Sequence, residues 1–213
     1  MKEIVFHLDF ISPYAYLAFE RLPQELAGLS YRVVHRPVLL AGLLQHHGNK
    51  GPAEIPAKRD WLYRQVLWLA QQHGVPMQLP AQHPFNPLAL LRLALACDAQ
   101  GEPNRHVCAT VFRHVWQGGA DAADAARLAA LRAELQPSRD PDSAEVKQQL
   151  RGATEAAAQA GIFGVPSFLV DGKLFWGLDA LPMLRAYLAG DAWFDGSQWA
   201  SVAEVPVGVV RQR

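Results

Sequence analysis

Apolar side chains alternate at Ile4, Phe6, Leu8 and Phe10, the two-residue period of a strand with one face buried, so residues 4–10 read as the first strand. The pattern breaks at Ser12-Pro13. Proline suits the first helical position, where its missing N–H costs nothing, and serine suits the N-cap before it, so a helix opens directly behind the strand. A second strand is predicted over residues 29–36. From residue 39 the period lengthens to that of helices, predicted over residues 39–46, 56–73, 87–99, 105–116, 120–134 and 143–160, with a turn at 137–142 and Ser143 as a cap. The last two are rich in alanine and have good helix propensity. The run Gly161-Ile162-Phe163-Gly164-Val165-Pro166-Ser167-Phe168-Leu169-Val170 then ends a helix, turns through a Val-Pro bond and begins an apolar strand. Asp171-Gly172 follows as a two-residue hairpin signal, with residues 173–176 as the returning strand. Gly177-Leu178-Asp179 leads into a last helix over residues 180–188, with Asp179 as its expected N-cap and Gly190 as its stop. The tail from residue 197 to 213 carries few helical signals and is expected to pack on a neighbouring element or a partner subunit.

Strand, helix, strand, a long helical interruption, then helix, proline loop, hairpin and helix is the order of the α/β thioredoxin-like fold. The expected organisation is a discontinuous thioredoxin-like domain, residues 1–38 and 155–200, an all-α helical insertion over 39–154, and a C-terminal tail over 201–213. In that fold the helix after the first strand faces the loop proline, so Ser12 and Val165-Pro166 are expected to meet. A helix N-terminus carries about half an elementary positive charge and favours an anion. On local sequence alone Ser12 is a capping serine, and the rest of the chain makes its position a candidate site.

Composition narrows the function classes. Half of the 213 residues are apolar and the formal net charge is zero, enough to bury a substantial core but without the basic footprint that nucleic acid or anionic lipid requires. Lys2 and Glu3 precede only a short strand, and no apolar run approaches the roughly 20 residues of a spanning helix, so neither a signal peptide nor a membrane segment is expected and the cytoplasm is the default compartment. Cys97 and Cys108, the two cysteines, form no Cys-x-x-Cys pair and on one continuous helix would stand about 16 Å apart. Both are expected to be small core residues, without a disulfide. Adjacent histidines at 46 and 47 diverge on a helix and lack a cysteine partner, so no metal site is expected.

A further set of motifs runs through most of the chain: Asp9-Phe10-Ile11-Ser12-Pro13-Tyr14, Arg36-Pro37, Gly48-Asn49-Lys50-Gly51-Pro52, Pro84-Phe85-Asn86-Pro87, Gly161-Ile162-Phe163-Gly164-Val165-Pro166 and Trp176-Gly177-Leu178-Asp179. In this order they resemble the kappa-class glutathione transferases and the bacterial 2-hydroxychromene-2-carboxylate isomerases, relatives of the periplasmic disulfide oxidoreductases. The isomerase branch fits better, chiefly through residues 84–87 and the Gly-Val-Pro-Ser run. The resemblance implies a glutathione-dependent isomerase, a small aromatic substrate and a homodimer. It implies that Ser12 donates a hydrogen bond to the thiolate of bound glutathione, and that Val165, before a cis Pro166, pairs its backbone with the tripeptide. Leu178 and Asp179 would hold the γ-glutamyl end, Asn49 the glycyl end, and Lys58 sits near a basic family position. A capping role for Asp179 is compatible with that one.

Other readings stay open on the sequence. Ser12 with His7 and Asp9, which share a face of the first strand, raises a hydrolase triad, but there is no Gly-x-Ser-x-Gly elbow. The same site would serve a transferase or peroxidase, or a non-catalytic module that recognises extended peptides at Val165. Trp61, Tyr63, Trp68 and Phe85 are core candidates, some of which are expected to line an apolar pocket for the co-substrate, with Lys58 and Arg59 as partners for its carboxylate.

Overall fold

The computed structural model describes residues 1–209. β1 (Lys2–Leu8), α1 (Pro13–Glu25) and β2 (Tyr31–Pro37) form the first half of a thioredoxin-like sheet, and β3 (Ser167–Val170), β4 (Lys173–Trp176) and α8 (Leu181–Leu188) complete it. Strand order is β2-β1-β3-β4. β1 runs parallel to β2, and β3 runs antiparallel to both β1 and β4. The β3–β4 turn takes positive φ at Asp171 (49°) and Gly172 (77°), which is why that dipeptide sits there.

Six helices lie between β2 and β3: α2 (Leu40–His46), α3 (Pro56–His73), α4 (Leu88–Ala96), α5 (Arg105–Trp116), α6 (Ala125–Leu135) and α7 (Ala144–Gln159). They are an insertion in topology but share the sheet's core. Phe112 of α5 lies 4.9 Å from Phe10 and 5.2 Å from Phe19, ring to ring, and all three are fully buried. Each such ring withdrawn from water contributes about 1.5–3 kcal/mol, so α5 and α1 stabilise each other.

The differences from the expected boundaries have local causes. β1 stops at Leu8, two residues early, because the Asp9 carboxylate accepts the Ile11 N–H and turns the chain; Phe10 stays buried inside that turn. α4 ends at Ala96, not 99, where Asp98 accepts the N–H groups of Gln100 and Glu102. α6 starts at Ala125, not 120, since Asp121 and Asp124 bond the N–H groups of Ala123 and Arg127. Short acidic side chains compete with the helix for backbone donors in this way. The tail carries a short α9 (Ser197–Ser201) that the pattern did not announce, its Trp199 against Phe194 at 5.4 Å. Residues 210–213 of the expected tail lie outside the described residues. Cys97 and Cys108 are free thiols, half-buried and buried. Among the described residues no helix is long and apolar enough to cross a membrane.

Candidate active site

Ser12 takes the extended N-cap conformation (φ −88°, ψ 116°) ahead of Pro13. Its Oγ accepts the Ala15 N–H at 3.2 Å and donates to the Val165 carbonyl at 3.4 Å. The first bond is the expected cap. The second joins α1 to the proline loop over 153 residues of sequence, and at 3.4 Å it lies near the outer limit of a hydrogen bond, so the hydroxyl hydrogen is weakly held. The Val165–Pro166 peptide is cis, and the Pro166 carbonyl accepts the Gly177 N–H at 3.0 Å. Among the described residues the Val165 N–H has no hydrogen-bond partner.

Beside this junction lies a cleft of about 490 Å³, walled by α1, α3, the proline loop and the start of α8. Val165, Pro166, Leu178 and Asp179 all line it. The structure corrects one expectation: Asp179 is not the N-cap of α8. That position is Ala180, without a side-chain cap, and Asp179 sits one residue earlier in a 3-10 turn, Leu178–Ala180. Its carboxylate folds back over Gly177, where a Cβ would stand 2.3 Å from Asp179 Oδ1. Gly177 has φ of 102°, which favours glycine, and any side chain there would also push the Asp179 carboxylate aside.

Asn49 and Lys58 are exposed and do not line this cleft. Asn49 lies just beyond α2, its N–H on the Leu44 carbonyl at 2.8 Å, and Lys58 is in the first turn of α3. The four aromatic residues do not line it either. Trp61 and Trp68 are exposed on α3, 63% and 58%, while Tyr63 and Phe85 pack around His83. The α3 wall is instead Gln65, Leu69 and His73. Their four-residue spacing puts them on one helix face, a signal present in the sequence but overshadowed by the tryptophans. Tyr14, which follows Pro13 in the motif, is a further wall residue that the hydrophobic pattern does not single out. Its hydroxyl donates to Gln65 Oε1 at 2.7 Å, and burial together with the nearby Asp179 charge raises its pKa.

The hydrolase triad is not assembled. Neither His7 nor the Asp9 carboxylate bonds Ser12, whose hydroxyl partners are Ala15 and Val165. Asp9 is fully buried and uses Oδ1 on Ile11 N at 3.2 Å and Oδ2 on Leu40 N at 2.9 Å, tying the active turn to the first turn of α2. Burial raises its pKa to about 7, against the pull of those N–H groups. His7 is buried and its pKa falls to about 4, first through burial and then through the Arg36 charge, so it is a neutral imidazole at pH 7.

Residues 3–189 match the family model described as the DSBA-like thioredoxin domain. The chain is 32% identical to glutathione S-transferase kappa 1 of Rattus norvegicus, with 87% of this chain and 89% of that protein covered. It is 29% identical to 2-hydroxychromene-2-carboxylate isomerase of Sphingobium xenophagum, covering 88% and 98%, and 30% identical to that of Pseudomonas putida, covering 85% and 91%. A solved structure of a 2-hydroxychromene-2-carboxylate isomerase superposes with a TM-score of 0.74 at 21% identity, over 95% of this chain and 98% of that one. At that identity the superposition speaks for the fold.

Proposed function

Because the chain belongs to the DSBA-like thioredoxin family, among its kappa-class glutathione transferase and 2-hydroxychromene-2-carboxylate isomerase members, we propose that it is a glutathione-dependent isomerase of the second kind. The observation that carries this reading is the contact of Ser12, at the N-terminus of α1, with the cis Val165–Pro166 loop. A disulfide oxidoreductase needs a sulfur there, and this chain offers a hydroxyl.

The cleft suits a small γ-glutamyl peptide. An extended peptide needs a backbone partner, and the Val165 N–H is unpaired among the described residues. An α-ammonium needs an anion, and Asp179 presents a carboxylate that is not spent on a helix cap. When bound, glutathione supplies a nucleophilic sulfur. Ser12 can donate to a thiolate while still accepting from Ala15, since a hydroxyl does both. With the α1 N-terminus this favours the ionised thiol, whose ordinary pKa is about 8.5. Val165 orients the peptide and Leu178 and Asp179 hold its γ-glutamyl end, while Asn49, the residue the family pattern sets at the glycyl end, and Lys58, near a basic family position, stand outside the cleft wall. The working enzyme is read as a cytoplasmic homodimer acting on a small aromatic carboxylate.

A transferase is the second reading, favoured by the 32% identity to the kappa protein; it uses the same residues. Titration calorimetry with glutathione tests both. Saturable heat and a raised melting temperature are expected, about 2.7 kcal/mol of stabilisation at 100 times the dissociation constant. Silence in both measurements at millimolar glutathione removes both enzymatic readings.

A further inference from the structure

The turn that presents Ser12 is fixed by Asp9 within it and by two residues of the helical insertion, Trp116 and His83. The Phe10 carbonyl accepts the Trp116 Nε1–H at 2.9 Å, the Ile11 N–H donates to Asp9 Oδ1 at 3.2 Å, and the Ser12 N–H donates to the Asp9 carbonyl at 3.0 Å. The Ile11 carbonyl meets His83 Nε2 at 2.8 Å. Because a carbonyl only accepts, Nε2 carries the hydrogen, and in the neutral ring Nδ1 is then the acceptor. Tyr63 of α3 supplies its partner: the hydroxyl is 2.9 Å from Nδ1 and 2.8 Å from the backbone carbonyl of His83 itself. The hydroxyl has one hydrogen for these two acceptors, so it serves them in turn or shares it in a three-centre bond, and either way it stands against both the ring and the peptide of His83. The ring also packs on Trp116 at 5.5 Å. Burial lowers the His83 pKa, the bond to Ile11 opposing it, so the ring is neutral near pH 7.

We infer that His83, oriented by Tyr63, is a positioning residue for Ser12: its bond to the Ile11 carbonyl fixes the Ile11–Ser12 peptide and so the direction of the Ser12 hydroxyl. This peptide is held at both ends, its carbonyl by His83 and its N–H by the Asp9 carbonyl. Rotation about its plane changes Ser12 φ and swings the Cβ–Oγ bond away from Val165 and from a sulfur seated beside it. Direction matters because a hydrogen bond weakens steeply as its angle departs from linear. The inference rests on Ser12 being the thiolate donor, and it assigns His83 and Tyr63 a role in activity although neither lines the cleft.

Three variants test it. His83→Leu removes the donor, His83→Gln keeps an amide N–H near the Nε2 position, and Tyr63→Phe removes only the hydroxyl that orients the ring. In ligand-free protein, His83→Leu should speed amide hydrogen exchange at Ile11 and Ser12 on the order of tenfold. With glutathione bound, followed by thiolate absorbance, it should raise the thiol pKa by about one unit and cut kcat on the order of tenfold while KM for glutathione stays within about twofold. Gln should restore most of both, and Tyr63→Phe should give a smaller change in the same direction. If His83→Leu does not fold, Tyr63→Phe decides by the same readouts. Unchanged exchange at Ser12 overturns the inference whatever the ligand does, as does an unchanged thiol pKa, or a Gln variant no better than Leu. Wild-type protein that binds no glutathione instead overturns the proposed function, and the exchange result then still reports whether His83 holds the turn.

Discussion

Replacing Asp9 with Asn separates the charge of this side chain from its bonds. The carboxylate is fully buried and accepts one N–H on each oxygen, from Ile11 and Leu40. Burial holds its native pKa at about 7 rather than 3.8. Between about pH 4 and 7 the native state keeps a proton that the unfolded chain has lost, so this group's contribution to stability falls as pH rises through that window. At about 1.4 kcal/mol per pH unit between those two values, the fall is about 4 kcal/mol. His7 and His35 act in the opposite sense. Burial lowers each to about 4, so the native state refuses protons that the unfolded imidazoles take up below about 6.5, and their contribution rises with pH from about 4 to 6.5. The wild-type profile is a sum of opposed slopes, and the informative quantity is the difference between wild type and Asp9→Asn. Asn has one acceptor oxygen, so one of the two buried N–H groups loses its partner, costing about 1–3 kcal/mol. Urea midpoints at a series of pH values should show Asp9→Asn the less stable protein near pH 4.5, with the gap closing or reversing by pH 8. Parallel profiles would refute the reasoning, because they would mean that Asp9 titrates alike in both states.

Ser12→Gly should lose turnover and raise the pKa of bound thiol while costing only a few tenths of a kcal/mol in stability, since glycine is a tolerable N-cap; thermal melts beside thiolate absorbance check this, and full activity would remove Ser12 from the chemistry. Gly177→Ala should cost about 1–3 kcal/mol, because φ of 102° is unfavourable for any residue with a Cβ, and should weaken glutathione binding, because the new methyl pushes aside the Asp179 carboxylate that lies 2.3 Å from its position; calorimetry reads both. Phe112→Ala should cost about 3–5 kcal/mol in a single unfolding transition, since its ring joins the insertion to α1; two separate transitions would contradict one shared core.

The fold was legible because hydrophobic period, capping residues and Asp171-Gly172 all act locally, and each helix of the insertion was foreseen with an error of a few residues. Errors fell where a side chain bonds the backbone nearby, as Asp98 and Asp121 do, because the same residue types also occur inside longer helices. At the site, Ser12 touches Val165, and Val165, Pro166, Leu178 and Asp179 line the adjoining cleft, of which Ser12 is not a wall residue. What sequence order does not reveal is which face of α3 turns inward. Trp61 and Trp68 looked like a pocket roof and point outward, while Gln65, Leu69 and His73 wall the cleft. Nor does any pattern in the chain announce that His83 reaches back 72 residues to Ile11, a contact made by tertiary packing alone.

The decisive measurement is turnover of 2-hydroxychromene-2-carboxylate with glutathione held far below the substrate concentration. Continued isomerisation is expected, with the same final mixture reached from either isomer and the free thiol intact at the end. One glutathione consumed per product, or no isomerisation while glutathione is bound, would contradict the assignment.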